Sequence, residues 1–275
     1  MPAFHPHFER HMNDVPAYSN RARINPYRTA AGLLLRRLRW DFKPESWRSR
    51  ARLRAEYDKY AGQKAVILCN GPSLLKADLR LLEGVFCYGL NKINLLFDKN
   101  EFRPSCIVAV NPFVIEQNEA FFNSTNIRLF LDAIGTKFVR ARDNVVFLHS
   151  SGTPGFAQDC SLSVFQGHTV TYVAMQLAFH MGFRDVALIG CDHDFAVKGP
   201  ANATVVADKE DKSHFDPRYF SAGMKWQLPD LAQSEAAYEM ARAEFHAAGR
   251  RLVNCTEGGK LEILERMTLR DFLGK

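Results

Sequence analysis

Short apolar runs that each end in a polar residue or a turn recur through most of the chain, and they constrain its fold more than any other feature. The runs are KAVILC, VFCYGL, SCIVAV, IRLFL, NVVFLH, DVALIGC and RLVNCT. Segments with helical spacing lie between them: LLKADLRLLEG, TVTYVAMQLAFHMG and AQSEAAYEMARAEFHAAG. Apolar strands that alternate with helices are typical of a parallel sheet buried on both faces. The sequence therefore predicts an α/β fold with a mostly parallel sheet and helices on both faces.

Basic residues are concentrated near the N-terminus. Twelve Lys or Arg and four Asp or Glu lie between Arg21 and Lys59, an excess larger than the net charge of +6 that the whole chain of 275 residues carries. The remainder of the chain is close to neutral, and it shows no nucleic-acid-binding pattern, so we expect no nucleic-acid partner. We predict a basic arm over residues 1–60 and one domain over residues 61–275.

The basic arm contains one candidate helix, in which apolar residues line one side and arginines lie on the flanks. The apolar residues are Leu33, Leu34, Leu38 and Trp40, and the arginines are Arg36, Arg37 and Arg39. Such a helix suits an anionic membrane surface or a partner protein. A solvated helix that packs on the rest of the chain is the alternative.

Cysteine spacing and the N-terminal composition bear on the compartment. The six cysteines lie far apart without a CxxC pair, which is typical of buried thiols in a reducing compartment and predicts neither a disulfide framework nor a zinc site. We see no secretory signal and no apolar stretch long enough to span a membrane. We expect a cytoplasmic protein that contacts the inner face of the membrane through its basic arm.

Polar residues follow nearly every predicted strand. They are Asn70 to Ser73, Asn91, Asn111 with Pro112, His149 with Ser150, Cys191 to Asp194, and Asn254 to Glu257. In an open α/β sheet, ligands bind beyond the carboxyl ends of the strands near a switch in strand order. Because parallel strands bring these ends to one edge, the sequence predicts a binding site there.

The turn after the first predicted strand has the form of an anion-binding turn. Gly71 permits close approach of a ligand, Pro72 stiffens the turn, and Ser73 can cap a helix whose free N–H groups attract phosphate. An ordinary capped turn is the alternative, because the NGPS segment matches neither of the common glycine-rich phosphate-binding loops.

A second helix start follows Gly167, His168 and Thr169. Thr169 is expected to cap this helix or to contact a ligand, and His168 is either a ligand contact or an exposed residue without a role. His180 lies in the middle of the same helix, where a packed histidine is the expectation.

Residues 192–230 form a long connection that we interpret as a binding loop or lid. At its start, Asp192, His193 and Asp194 are candidates to accept ribose hydroxyls, to hold a metal or to cap a turn. Farther along, His214 is the candidate general base. Two aromatic residues of the loop, Tyr219 and Trp226, are candidates to contact a base or a sugar, and anchoring of the loop is the alternative.

The set NGPSL, GHTVTYVAMQLAFHMGFRDVALIGCDHDF, SHFDPRYF and NCTEGGKLEILER resembles the bacterial proteins grouped with archaeal hydroxymethylpterin diphosphokinase, the MptE-like family. The NGPSL segment, Asn91 and the GFRDVALIG segment also resemble bacterial sialyltransferases that use a Rossmann-like fold. The resemblance covers about residues 60 to 270 and leaves out the basic arm. It implies a Rossmann-like nucleotide- or nucleotide-sugar-binding domain.

The sialyltransferase resemblance implies roles for individual residues. Asn70 and Asn91 match the asparagines that contact the CMP part of the donor, and Thr169 lies in the segment that lines the donor site. The family's catalytic histidine falls at Arg218 here, which departs from the pattern and leaves His214 as the substitute base. The diphosphokinase resemblance implies ATP, Mg²⁺ and a pterin alcohol instead, with Asp192 and Asp194 at the metal.

We therefore expect a transferase of the glycosyltransferase type that uses a nucleotide-activated sugar, with CMP as one candidate nucleotide, in the assembly of a surface glycan or glycoconjugate. In this hypothesis Arg218 offsets the charge of the leaving group, the acceptor is a glycan or is linked to a lipid, and no cofactor is required. A Mg²⁺-dependent pyrophosphokinase is the first alternative, and a non-catalytic nucleotide-binding scaffold is the second. Oligomerisation is left open.

Overall fold

A computed structural model describes residues 25–194, 199–207 and 213–275. The helices in these ranges are α1 (Pro26–Asp41), α2 (Pro44–Glu56), α3 (Pro112–Gln117), α4 (Glu119–Ser124), α5 (Val170–His180), α6 (Leu231–Ala247) and α7 (Leu269–Leu273). The strands are β1 (Lys64–Leu68), β2 (Phe86–Leu90), β3 (Cys106–Ala109), β4 (Arg128–Asp132), β5 (Val145–Leu148), β6 (Ser150–Ser151), β7 (Val164–Phe165), β8 (Asp185–Ile189), β9 (Thr204–Val206), β10 (Lys225–Gln227), β11 (Arg251–Asn254) and β12 (Glu265–Arg266).

Eight of these strands form one sheet in the order β12-β11-β8-β1-β2-β3-β4-β5. Every pairing in it is parallel, which confirms the predicted α/β fold. From β1 the chain adds strands in one direction as far as β5, and it then crosses back to place β8 on the other side of β1. The strand order therefore reverses between β1 and β8, where a ligand site is expected in such a sheet.

The helix α5 is the centre of the core and packs on β1, β2 and β3. Its residues from Thr171 to His180 are all buried, as expected for a helix covered on every side. His180 is the packed histidine that the sequence predicts, since its Nε2 lies 2.8 Å from the Leu53 carbonyl and its Nδ1 accepts from the Cys160 N–H at 3.2 Å. The six cysteines are free and buried, as expected.

The segment LLKADLRLLEG is not the α-helix that its spacing predicts. It forms two short 3-10 helices, Pro72–Lys76 and Leu79–Leu82. The first ends where Ala77 adopts an extended conformation, and the second begins where the Asp78 side chain accepts the N–H of Arg80. An aspartate that bonds to the nearby backbone competes with a continuous helix in this way.

The described chain divides into two compact units between Lys43 and Pro44, whereas the sequence places the end of the basic arm near residue 60. The first unit contains α1, which includes the predicted helix. The side chain of Asn25 caps the N-terminal N–H groups of α1. The second unit contains α2, which packs on β5, and all the elements that follow. Among the described helices, none is both long and apolar enough to cross a membrane.

Candidate functional site

A cleft of about 530 Å³ opens at the carboxyl edge of the sheet, beside the reversal of strand order between β1 and β8. Thirteen of the sixteen predicted site residues line it: Asn70, Gly71, Asn91, Asn111, Gly167, His168, Thr169, Asp192, His193, Asp194, His214, Tyr219 and Trp226. The other three, Pro72, Ser73 and Arg218, do not line it. The structure therefore brings most of the predicted strand-end residues together, and their roles toward a ligand stay predictions.

A carboxylate links the ends of the two strands that flank the reversal. Oδ2 of Asp192, which follows β8, accepts from Ser73 Oγ at 2.6 Å and from the Ser73 N–H at 3.1 Å, after β1. The Ser73 N–H, which the sequence predicts to bind phosphate, therefore donates to the carboxylate of Asp192 instead. The prediction of a phosphate site at Ser73 is corrected accordingly: Ser73 lies inside a 3-10 helix and binds Asp192.

The close approach of Asp192 leaves no room for a side chain at Gly71. A Cβ atom built on Gly71 would lie 1.9 Å from Oδ2 of Asp192 and 2.7 Å from the carbonyl oxygen of Gly190. The Gly71 N–H also donates to that carbonyl at 2.9 Å. Gly71 is thus needed for the contact between two strand ends, in addition to the approach of a ligand that the sequence suggests.

We predict that Gly71→Ala lowers the free energy of unfolding by about 1–3 kcal/mol, because the methyl group must push the Asp192 carboxylate away from Ser73. Urea denaturation measures the change. The matched control is Gly152→Ala, where a Cβ meets nothing within 4 Å, and we expect this variant to stay within about 0.5 kcal/mol of the wild type. Equal stability of both variants would contradict the steric explanation.

Two asparagines at the ends of neighbouring strands each carry a buried amide oxygen that accepts no hydrogen bond from the described residues. Asn70 is 8% exposed, and its Nδ2 donates to the Leu90 carbonyl at 3.0 Å and to the Tyr219 hydroxyl at 3.1 Å. The carbonyl partner fixes the orientation of the amide, so Oδ1 is the atom left without a partner. Oδ1 of Asn91 likewise has no hydrogen-bond partner among the described residues. Such orphaned acceptors are rare in folded proteins and call for an explanation.

Backbone strain is concentrated around the cleft. Five non-glycine residues of the described chain have positive φ, and four of them line the cleft: Asn91 (50°), His168 (59°), His193 (53°) and Asn202 (62°). The left-handed region is uncommon for residues other than glycine, although asparagine and histidine adopt it more often than most. Strain of this kind gathers at functional sites, where the surrounding structure enforces it.

The N-terminus of α5 forms one wall of the cleft. Thr169 is the N-cap, as predicted, and its Oγ1 accepts the Thr171 N–H at 3.3 Å and lies 3.5 Å from the Tyr238 hydroxyl. His168 Nδ1 lies 3.8 Å from Asp230 Oδ2, and His193 Nε2 lies 2.9 Å from Glu235 Oε1. The two imidazoles are therefore both held beside carboxylates of α6 or of its N-cap.

Another part of the lining comes from the cover segment, residues 213–228, which contacts Asn70. Its aromatic rings are stacked in pairs: His214 on Tyr219 at 3.9 Å between centroids and Phe220 on Trp226 at 5.0 Å. The carbonyl of Asn70 accepts the Phe215 N–H at 2.9 Å, which ties the segment to the end of β1. The imidazole of the candidate base is thus fixed in place by its neighbours.

Lys92 supports this cover segment and is missing from the sequence prediction. It is buried, and its Nζ donates to the Tyr219 carbonyl at 2.7 Å and to Gln117 Oε1 at 2.8 Å. The same ammonium lies 5.1 Å from the centre of the Phe220 ring. The only sequence signal is its place directly after Asn91 at the end of β2, because a buried lysine cannot be distinguished from an exposed one by its type.

Arg218 is directed to carboxylates and not to the cleft. Its guanidinium donates to Asp216 at 2.9 Å and 3.0 Å and to Asp98 at 3.0 Å. These contacts correct the prediction that Arg218 offsets leaving-group charge in the site. The Arg218 guanidinium, together with Lys99, holds the pKa of the Asp216 carboxyl well below its usual range.

This lowered pKa predicts a loss of stability in acid. An unfolded aspartate has a pKa of about 3.9, so the stabilisation is complete above that pH and is lost as the pH falls toward the lower pKa of the folded state. We expect Asp216→Asn to be less stable at pH 7 and to lose less stability than the wild type between about pH 5 and pH 2. Urea denaturation across this range measures both, with the exposed Asp143→Asn as control. If the free energy of unfolding of Asp216→Asn fell with decreasing pH as steeply as that of the wild type, the stabilising role of the Asp216 carboxylate would be contradicted.

The fold and the site together define a class of protein: a parallel α/β protein with a cleft at the reversal of its strand order. The chain belongs to the 6-hydroxymethylpterin diphosphokinase MptE-like family, whose sequence profile matches residues 45–198. This match confirms the predicted family, and it covers all of α2 except Pro44 and every element from there through β8.

Two further comparisons concern curated proteins and solved structures. Among curated proteins, none matches the chain. The solved structure of the MAf glycosyltransferase from Magnetospirillum magneticum AMB-1 is similar with a TM-score of 0.49 and 14% identical residues. That match covers 77% of this chain and 34% of the other, so the chain spans about one third of that protein.

Proposed function

We propose that this protein is a glycosyltransferase that binds a nucleotide-activated sugar in the cleft at the carboxyl edge of the sheet. The observation that carries the proposal is the pair of buried amide oxygens on Asn70 and Asn91, for which the described part of the chain offers no hydrogen-bond donor. A ligand that offers N–H or O–H groups at that depth would supply the missing donors. The exocyclic amino group of a nucleobase and the hydroxyls of ribose are such donors.

The size and the walls of the cleft suit such a donor. Its volume of about 530 Å³ lies within the range of roughly 300–1,000 Å³ that is typical of small-molecule sites. The start of α5 at Thr169 offers a positive helix end to a phosphate. Asp192 lines the cleft, and Oδ1, the oxygen that does not accept from Ser73, is the candidate acceptor for a sugar or ribose hydroxyl.

The proposed chemistry is displacement at the anomeric carbon. His214 removes the proton of the acceptor hydroxyl, and the new bond forms between that oxygen and the anomeric carbon. The bond between the anomeric carbon and the phosphate oxygen breaks, and the nucleotide leaves with the electron pair. A positioned imidazole contributes about 10²- to 10⁴-fold to such a step. The acceptor in this proposal is a glycan or a lipid-linked sugar, and the transfer needs no cofactor.

A diphosphokinase is the second candidate, and the description of the family favours it. Asp192 and Asp194 both line the cleft and are the residues that would hold Mg²⁺, which would neutralise the charge of the transferred phosphates. Both carboxylates are already engaged, however: Asp192 accepts from Ser73, and Asp194 pairs with Lys260 at 2.9 Å. A metal at these oxygens must compete with those contacts, which places this candidate second.

Thermal shift with CMP, CDP, UDP, GDP and ATP, each with and without Mg²⁺, separates the candidates. A ligand at 100 times its Kd stabilises by about 2.7 kcal/mol, which raises the Tm of a domain of this size by about 5–10 °C. We expect a nucleoside mono- or diphosphate to act without Mg²⁺. A response to ATP that disappears with a chelator favours the diphosphokinase. No response to any of these nucleotides, with or without Mg²⁺, would contradict both candidates.

The variant Asn91→Gly tests whether the buried amide oxygen of Asn91 binds the nucleotide. Glycine keeps the positive φ of this position at little cost and removes the amide oxygen, so the nucleotide should bind about tenfold more weakly while the fold is kept. Calorimetric titration measures the change in Kd. The matched control is Asp58→Gly, a second exchange at positive φ that lies outside the cleft. Equal loss of affinity in both variants would contradict the role of Asn91.

The variant His214→Phe tests the base. Phenylalanine preserves a flat ring for the stack on Tyr219 but has no nitrogen to accept a proton. With the nucleotide sugar that the binding panel selects, we expect release of free nucleotide to fall by about 10²- to 10⁴-fold while the thermal shift by that nucleotide stays unchanged. The exposed His246→Phe is the control. Turnover that survives in His214→Phe would remove His214 from the mechanism.

A further inference from the structure

The helix α1 carries an apolar stripe on its exposed side. The α1 stripe consists of Tyr27, Leu34, Leu35, Leu38 and Phe42, the last at the C-cap. At 100° per residue these five positions fall within an arc of about 100°, which is the width of a typical apolar helix face. With a rise of about 1.5 Å per residue, the α1 stripe extends over about 22 Å.

The apolar residues of the α1 stripe are exposed, whereas those of a helix that faces a core are buried. Its members are between 40% exposed (Leu38) and 84% exposed (Tyr27). Trp40 is the one buried residue of the helix and lies on the opposite side of it, so the prediction that Trp40 shares one side with Leu34 and Leu38 is wrong. A surface helix normally directs its apolar residues inward and its polar residues outward. A continuous exposed apolar face of this kind marks an interaction site.

The residues around the α1 stripe indicate what covers it. Arg28 and Arg39 follow the stripe along one border, and α1 contains four arginines against a single acidic residue, Asp41. Asp41 itself pairs with Arg37 at 2.9 Å on the other border. An apolar face that is bordered by cationic side chains complements the acyl chains and the anionic headgroups of a lipid leaflet. Arginines can extend their charged ends to the headgroups while their stems stay on apolar surface.

We propose that α1 is an interfacial helix that lies in the plane of an anionic phospholipid surface, with the α1 stripe inserted among the lipids. Its aromatic residues, Tyr27 and Phe42, stand at the two ends of the stripe, and tyrosine is enriched at such interfaces. The proposal concerns only this helix and is independent of the proposed function of the cleft. Vesicle binding tests it whether or not the protein transfers a sugar.

Flotation of the full chain with vesicles is the experiment. The vesicles contain phosphatidylcholine alone or phosphatidylcholine with about one third phosphatidylglycerol, a range in which basic segments attach through the anionic lipid. We expect binding to the anionic vesicles only, and weaker binding as the ionic strength rises. The double variant Leu34→Gln with Leu38→Gln should lose this binding, because glutamine keeps the helix but removes the apolar face.

A second double variant tests the charges. Arg28→Gln with Arg39→Gln should weaken binding to anionic vesicles by about 30-fold, since each basic residue near such a surface contributes about one factor of five. The control Arg140→Gln with Arg242→Gln removes the same charge from exposed positions outside α1, and Leu75→Gln is the control for an exposed leucine. Retained Tm values establish that the variants are folded.

Three outcomes would overturn the proposal. The leucine variant could bind anionic vesicles as well as the wild type does, or the two arginine pairs could have equal effects. The third outcome is a wild type that binds no vesicle but forms a dimer that the leucine variant loses in light scattering. In that case the α1 stripe is an interface between two copies of the chain.

Discussion

The contact between Asp192 and Ser73 is the interaction on which the arrangement of the cleft depends. It joins the ends of β8 and β1, the two strands between which the chain reverses its direction across the sheet. A parallel sheet alone brings strand ends to one edge, but it does not fix the loops that follow them. One carboxylate oxygen that accepts from two donors of Ser73, in the segment after the neighbouring strand, supplies that restraint. Gly71 completes it, since any side chain there would occupy the space of the carboxylate.

The sheet could be predicted from the sequence because buried strands leave a simple signature. Each run such as KAVILC is apolar throughout, and each is followed by a polar residue that needs solvent or a partner. The segment after β1 was harder to predict, since LLKADLRLLEG has helical spacing but Asp78 bonds to its own backbone and divides the segment in two. Local hydrogen bonding overrides a pattern of apolar positions there.

The sequence could predict that residues at strand ends come together at one cleft, but it could not predict the contacts of residues whose partners lie far away in the chain. Asn70 and Asn91 were found because they follow strands directly. The environment of Ser73 and Arg218 is set by carboxylates 119 and 120 positions away, Asp192 and Asp98, which no local pattern reveals. Lys92 was missed for a similar reason, because its burial results from the cover segment folding over it.

The four left-handed residues around the cleft have a consequence for how the site can change. Asn91 and Asn202 occupy positions that glycine, asparagine, aspartate and histidine adopt more readily than other residues, so selection for the backbone acts there independently of selection for a ligand. The same holds at His168 and His193, and β-branched residues are strongly disfavoured at all four positions. If the cleft residues were randomised and screened, few residue types would therefore be recovered at these four positions, whichever substrate is used in the screen. New specificities would have to arise at the neighbours with ordinary backbone angles, above all on the cover segment.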